Sequence, residues 1–271
     1  MNQSDLEKEL EKLPLGRIRY FETVGSTNDV AGEWVAEGVP DLSLVVADEQ
    51  TSGRGRSGRQ WFTPPGAALA FSLVLHPPEL KGGEEITRVT GLGAVAVCQA
   101  LEEHLSLAPQ IKWPNDVLVS GSKVCGVLAE SHWQGERLLA FILGIGINVA
   151  PPSVPPDSLL NYPAACLEEI FGMNINRLEL LKNILENIIA WRAQLPSPKF
   201  LIAWENRMAG LNQVMQITPD GGTSFRAKIV GLDHSGKLKL LLPSGKEFSM
   251  SAGEIQIRPL VDSSPNQNTL I

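Results

Sequence analysis

Arg54, Arg56 and Arg59 alternate with Gly53, Gly55 and Gly58 in a stretch that runs from Asp48 to Trp61. A guanidinium grips phosphate oxygens in two-point contact, and glycine lets backbone approach a ligand closely. The chemistry this suits is the handling of a polyphosphate whose leaving group is held and then released. The glycines also satisfy G-x-G-x-x-G, but a dinucleotide site needs a helix to begin at the loop. Here the chain continues as Trp61-Phe62-Thr63-Pro64-Pro65-Gly66, which cannot be helical. The competing reading is a solvated basic surface loop, against which stands the chain's net charge of −7. A second cluster, Lys112-Trp113-Pro114-Asn115-Asp116, sets a cation, an aromatic ring, an amide and a carboxylate at a strand end, and Lys123 follows the turn Ser120-Gly121-Ser122. A hairpin there would present Lys112, Asp116 and Lys123 to one site, with Asp116 suited to hold a magnesium ion or orient an arginine. An ordinary surface hairpin with an ion pair is the alternative.

The elements that must position these groups follow from periodicity and punctuation. Leu6, Leu10 and Leu13 recur at helical spacing until Pro14 and Gly16 stop them. A short strand over 18–21 precedes Ser26-Thr27-Asn28-Asp29, which reads as the N-cap of a helix carrying Val30, Ala31, Trp34 and Val35. Apolar runs predict strands over 42–47 and 67–75. Residues 86–105 have helical periodicity, with Gly91 and Gly93 inside it for close packing. Successive strands are expected over 111–113, 116–119, 123–130 and 138–147, separated by turn residues. The proline-rich segment 150–157 reads as a loop and 178–195 as a helix. After Gly210 five short strands are expected, over 214–218, 223–232, 238–242, 247–250 and 255–258, as in a small SH3-type barrel.

Composition narrows the classes. Hydrophobic residues make up 43% of 271, enough for a real core. The acidic balance speaks against broad nucleic-acid binding. Cys98, Cys125 and Cys166 form no C-x-x-C pair, so neither a disulfide framework nor a cysteine metal site is expected. No signal peptide and no apolar run of about 18 residues is visible, which makes the cytoplasm the expected location. His76, His104, His132 and His234 have no evident partner in sequence.

Taken together, several pieces resemble the biotin protein ligase family. They are Ser26-Thr27-Asn28, Asp48-Glu49-Gln50, the Gly53–Trp61 stretch, Lys112–Asp116, Lys123 with Gly126, and Gly144-Ile145-Gly146-Ile147-Asn148-Val149. Each is weak alone; their common order and spacing are specific, and the resemblance covers roughly residues 18–259. It implies an α+β fold, a mixed-sheet biotin/lipoate ligase-like catalytic domain over 17–209 and an SH3-like domain over 210–261; the residues themselves give the helical extension over 1–16 and a polar, disordered tail over 262–271. It implies an ATP-dependent ligase that forms biotinyl-5'-AMP and passes biotin to a lysine of a biotin carboxyl carrier protein, with ATP, biotin and Mg2+ as its small molecules and no tightly held metal. Ser26, Thr27, Asn28 and Gln50 would bind the ureido ring. Gly53, Arg54, Gly55, Arg56, Arg59 and Trp61 would close over carboxylate and phosphates. Lys112, Asn115 and Asn148 would lie near the nucleotide, Gly126 and Gly144 would line the biotin channel, and Lys123 would meet the attacked α-phosphate. Lys123, Arg56 and Asp116 are the candidate catalytic residues, with Asp116 as base or orienting group. A proline-rich 150–157 without tryptophan leaves adenine stacking unassigned. The short N-terminal stretch implies no DNA binding; a homodimer is an option through an exposed sheet edge. A lipoate ligase or octanoyl transferase of the same fold is the alternative.

Overall fold

The structure, a computed structural model, describes residues 1–76, 85–156, 158, 160, 162–219, 221–251 and 255–259. The expected tail, 262–271, lies outside these. Two compact units divide the chain, Met1–Ala209 with His234–Gly236, and Gly210–Asp233 with Lys237–Ile271.

The first unit is built on a seven-stranded mixed sheet. In chain order its elements are α1 (Gln3–Glu9), β1 (Ile18–Val24), α2 (Thr27–Ala36), β2 (Leu44–Gln50), β3 (Ala68–Leu75), α3 (Ile86–Leu105), β4 (Pro109–Lys112), β5 (Asp116–Val119), β6 (Ser122–Gln134), β7 (Arg137–Asn148), α4 (Leu167–Phe171), α5 (Arg177–Arg192) and α6 (Pro198–Glu205). The strand order is β1-β2-β3-β7-β6-β5-β4, and among these neighbours β1 and β2 pair in parallel, joined through α2. The other neighbours are antiparallel.

Strand β3, with no polar residue but Ser72, is buried at every position, as expected of a strand covered on both faces. On one face α2 packs Ala31, Trp34 and Val35 against Val45, Val74, Ala140 and Ile142. On the other, α3 comes so close that a Cβ on Gly93 would lie 2.9 Å from Val127 and 3.0 Å from Leu143, and one on Gly91 would lie 2.3 Å from the Trp204 ring. Both glycines thus serve the close packing that their positions in a helix suggested.

Both sheet edges are partly used within the chain. The Gln3 side chain donates to Ile18 O and accepts from Tyr20 N, taking the place of a neighbouring strand along β1. Ile111 of β4 exchanges hydrogen bonds with Arg207 O and Ala209 N. Such cover blunts strand edges against unwanted pairing.

Three local expectations are corrected. Strand β2 begins at Leu44, because Leu42 sits at φ 56, outside the extended region. Ser26 is at the N-cap of α2 but makes no side-chain cap hydrogen bond; the cap oxygen comes from Gln50, whose Oε1 accepts from Thr27 N at 2.9 Å. The proline-rich loop contains a 3-10 turn over Pro151–Ser153, since proline's fixed φ suits the first turn of a helix. Helices α4 and α6 are additions that the periodicity does not predict.

The second unit contains β8 (Val214–Pro219), β9 (Phe225–Leu232), β10 (Leu238–Leu241), β11 (Glu247–Met250) and β12 (Ile255–Pro259). They form an antiparallel sheet in the order β11-β10-β9-β8-β12, with a register shift between Lys239 and Leu240. Alternate residues Met215, Ile217, Ala227, Ile229, Leu238 and Leu240 are buried. The architecture is therefore α+β, a mixed sheet followed by a small antiparallel unit. No helix among the described residues is long and apolar enough to cross a membrane.

Candidate functional site

The register of the large sheet sets one row of side chains across all seven strands on the α2 face: Phe21, Ala47, Ala70, Gly146, Gly126, Asp116 and Lys112. The row beside it runs Val45, Ser72, Gly144 and Leu128. The middle of both rows is nearly free of side-chain bulk; Asp116 and Lys112 put charge at one end of the first, and Ser72 in the second meets buried polar groups from the start of α2. Alternation in β7 produces this, since Gly144 and Gly146 are two apart and share a face.

Asn28 and Trp61 take up the space the glycines leave. A Cβ on Gly144 would lie 2.2 Å from Asn28 Oδ1, and one on Gly146 would lie 2.2 Å from Trp61 Nε1. Gly126 would meet the same indole at 2.9 Å. The Trp61 N–H is buried and has no acceptor among the described residues. A buried donor of this kind costs about 1–3 kcal/mol until something accepts from it.

At the polar end Ser26, Thr27 and Asn28 are buried. Gln50 Oε1 accepts from Thr27 N and Oγ1, and Gln50 Nε2 donates to Thr63 Oγ1 at 3.1 Å, so the amide has one orientation. Ser72 Oγ lies 2.7 Å from Thr27 Oγ1 and 2.6 Å from Asn28 Oδ1. Asn28 Nδ2 donates to Glu130 Oε2 at 2.5 Å. The groups of this cluster come from α2, β2, β3 and β6.

The glycine–arginine stretch is an ordered hairpin rather than an irregular loop. Trp61 N bonds Gly53 O, Gly55 N bonds Arg59 O, and Arg54 bridges Gln60. A 3-10 turn over Arg56–Gly58 makes its tip, where Ser57 and Gly58 have φ 55 and 69. Gly53 has no room for a side chain, since a Cβ would lie 2.4 Å from Trp61 O. Arg54 reaches Asp29 Oδ1 and Glu130 Oε2, both at 2.8 Å. Arg56 Nη1 donates to Asn115 Oδ1 at 3.3 Å, and Arg59 Nε donates to Arg56 O. The hairpin therefore spans from the polar end to the charged end.

At the charged end Lys123 Nζ lies 2.6 Å from Asp116 Oδ1 and 5.4 Å from the Trp61 ring centroid. Lys112, opposite Asp116 in register, sets its ammonium 3.6 Å from the Tyr162 ring centroid. Burial, reinforced by Asp116, pushes the Tyr162 phenol up from its ordinary pKa. Lys112, Asp116 and Lys123 are thus brought together, as the hairpin reading required. Asn115 Nδ2 donates to Val127 O, which pins the turn between β4 and β5 to β6. Asn148, buried at the end of β7, donates to Ala165 O. Among the described residues no group of three or more His, Cys, Asp or Glu could hold a metal ion.

Of the candidate residues, Lys112, Asp116, Gly126, Gly144 and Asn148 lie on this face, Gly53 to Trp61 lie on the hairpin, Lys123 pairs with Asp116, and Ser26, Thr27, Asn28, Gln50 and Asn115 lie in α2 or at strand ends and turns. Ser72, Glu130, Asp29 and Tyr162 belong to the same constellation, and sequence reasoning misses them. Ser72 carries a usable signal, a lone hydroxyl in an eight-residue strand with no exposed position; Glu130 carries none, since an acid near the end of a long strand reads as solvated.

The family model described as the biotin/lipoate A/B protein ligase family matches residues 20–148. The bifunctional ligase/repressor BirA of Bacillus subtilis is 33% identical over 257 residues, covering 93% of this chain and 78% of that protein. The biotin--[acetyl-CoA-carboxylase] ligase of Paracoccus denitrificans is 33% identical over 232 residues, covering 80% of this chain and 92% of that one. Among solved structures, the biotin protein ligase from Aquifex aeolicus in complex with biotin and ATP matches with a TM-score of 0.76 at 30% identity, covering 90% of this chain and 99% of that one.

Proposed function

The chain belongs to the biotin/lipoate A/B protein ligase family, and from that premise we propose that it is a biotin–protein ligase. It joins biotin to ATP as biotinyl-5'-AMP with release of pyrophosphate, then transfers the biotinyl group to a lysine of a biotin carboxyl carrier protein. The observation that carries this is the row of small residues with a buried amide-and-hydroxyl cluster at one end and Lys123 at the other, spanned by an arginine-bearing hairpin. An apolar acid with a polar ring at its far end and a carboxylate at its near end has that distribution of groups. Lipoate has no ureido ring to occupy the hydroxyl-and-amide cluster, and two of the proteins named above, from Paracoccus denitrificans and Aquifex aeolicus, are biotin ligases.

In the first step a carboxylate oxygen of biotin attacks the α-phosphorus and the bond to pyrophosphate breaks. Two anions must approach, so the residues needed are cations in a water-poor groove. Lys123 meets the α-phosphate, with Asp116, 2.6 Å from its ammonium, orienting it. Arg56, held through Asn115, covers the phosphates, and Arg59 braces the hairpin tip. Lys112 and Asn148 flank the nucleotide. Ser26, Thr27, Asn28 and Gln50 meet the ureido ring, and Gly126 and Gly144 shape the channel by seating Trp61 and Asn28. In the second step the acceptor amine attacks the acyl carbon and AMP leaves. No side-chain nucleophile on the ligase is required. Asp116 is already engaged by Lys123, which favours its orienting role over that of a base. Mg2+ is usually held by substrate phosphates with one or two carboxylates; it would enter with the nucleotide, and no step here is assigned to it.

Buried, unpaired thiols at Cys98, Cys125 and Cys166 fit a reducing compartment such as the cytoplasm. A dimer through the sheet edges would have to displace Gln3 or the 207–209 segment; sedimentation equilibrium measures whether one forms. The test of function is ATP–pyrophosphate exchange dependent on biotin, followed by labelling of a purified carrier domain. Exchange with lipoate in place of biotin, or with neither, would overturn the assignment.

A further inference from the structure

Glu130 lies on β6, outside every motif that marks the site, yet its carboxylate holds two parts of the site at once. Its Oε2 accepts from Asn28 Nδ2 at 2.5 Å and from Arg54 Nη2 at 2.8 Å. Asn28 accepts at its other end from Ser72, so its amide is fixed in one orientation, NH2 toward Glu130 and carbonyl oxygen toward Ser72. Arg54 shares its terminal nitrogen between Glu130 and Asp29, and Arg54 pairs with Gln60 within the hairpin. A single oxygen atom therefore joins the buried floor of the pocket to the hairpin above it.

We infer that Glu130 is a positioning residue with two tasks: it sets the orientation of the Asn28 amide for ligand recognition, and it fastens the Arg54 end of the hairpin to the pocket for retention of the bound intermediate. The two contacts differ in kind. Asn28 is buried, so leaving its NH2 without an acceptor is costly, while a neutral acceptor in place of the carboxylate still satisfies it. Arg54 is half exposed and keeps Asp29 as a second partner, so loss of its contact with Glu130 is mild. Glu130→Gln keeps the shape and an oxygen for Asn28 but removes the charge that faces Arg54. Glu130→Ala removes both. Separate effects on recognition and on retention are the signature of this double role, and a residue that merely supports the fold has no reason to produce them.

This inference rests on the ligase reading. The test uses the full chain and two measurements, biotin affinity by calorimetry without nucleotide, and the release rate of preformed biotinyl-5'-AMP, with thermal melting to match folded fractions. Glu130→Gln is expected to keep biotin affinity within about threefold and speed release by about three- to fivefold. Glu130→Ala is expected to lose about tenfold or more in biotin affinity and to speed release as well. Equal losses of biotin affinity in both variants, or release at the wild-type rate in both, would overturn the inference while leaving the ligase reading intact. Wild-type protein that binds no biotin would overturn the ligase reading, and the inference with it.

Discussion

Gly144→Ala tests the site with the addition of one carbon. Gly144 does not have a positive φ, so its backbone accepts alanine without strain; the cost comes from what the methyl meets. The new Cβ would stand 2.2 Å from Asn28 Oδ1, 3.0 Å from Cγ and 3.1 Å from Nδ2. Asn28 must retreat by roughly 1.3 Å to regain a normal contact at ~3.5 Å. Its bonds to Ser72 Oγ at 2.6 Å and Glu130 Oε2 at 2.5 Å cannot both stretch that far and survive. One is neutral and one goes to a charged group, so together they are worth about 2–4 kcal/mol. That is a cost in stability; if the retreat also moves the amide out of its ligand-binding position, the ligand loses one hydrogen bond and is left with an unpaired group, about 1–3 kcal/mol, so biotin affinity falls by about 5- to 150-fold. Calorimetry with biotin on the variant, beside Gly126→Ala, measures this. Gly126→Ala meets the edge of the Trp61 ring at 2.9 Å, where a ring on a hairpin gives way more readily than a residue tied at both ends, and should lose less. Wild-type affinity in Gly144→Ala would refute the placement of Asn28 in the binding site.

Lys123→Ala should cut biotin-dependent ATP–pyrophosphate exchange by more than about 100-fold, as when a contact to developing charge is lost; exchange at the wild-type rate would remove Lys123 from the chemistry. Arg56→Gly should still form biotinyl-5'-AMP but let it escape, because the contact with Asn115 that holds the hairpin tip is gone. Appearance of free intermediate, read as labelling of unrelated proteins, checks this. Burial pushes the Cys98 and Cys125 thiols well up from their ordinary range. Both should therefore resist iodoacetamide in the native protein at pH 8 and react only in denaturant. Mass spectrometry of the alkylated native chain decides it.

Much of this site is legible in the sequence because its chemistry is concentrated in short stretches. Gly53 to Trp61 and Lys112 to Asp116 combine residue types that ordinary surface loops rarely combine, and the turn residues after Val119 alone suffice to bring Lys123 beside Asp116. What escapes depends on register between distant strands. Ser72 reaches Asn28 across 44 positions and Glu130 reaches it across 102, and no local pattern carries such a relation. The N-terminus of α2 shows the same limit, since the hydroxyls beside it suggest a local cap and the oxygen comes from Gln50, 23 residues on. Helices α4 and α6, with 5 and 8 residues, are too short for periodicity to stand out.

The bare floor formed by Ala70, Gly126, Gly144 and Gly146 has a consequence for anyone who wishes to change what this protein accepts. A chamber is usually enlarged by trimming the side chains beneath its occupant, but here nothing is left to trim. The depth is already at the backbone, and the spacing of neighbouring strands, about 4.8 Å, fixes the grid. Tolerance for bulkier or altered vitamins has to be sought in the two groups that rest on that floor, Asn28 and Trp61. Of these, the indole rides on a hairpin that can be redesigned without disturbing the sheet.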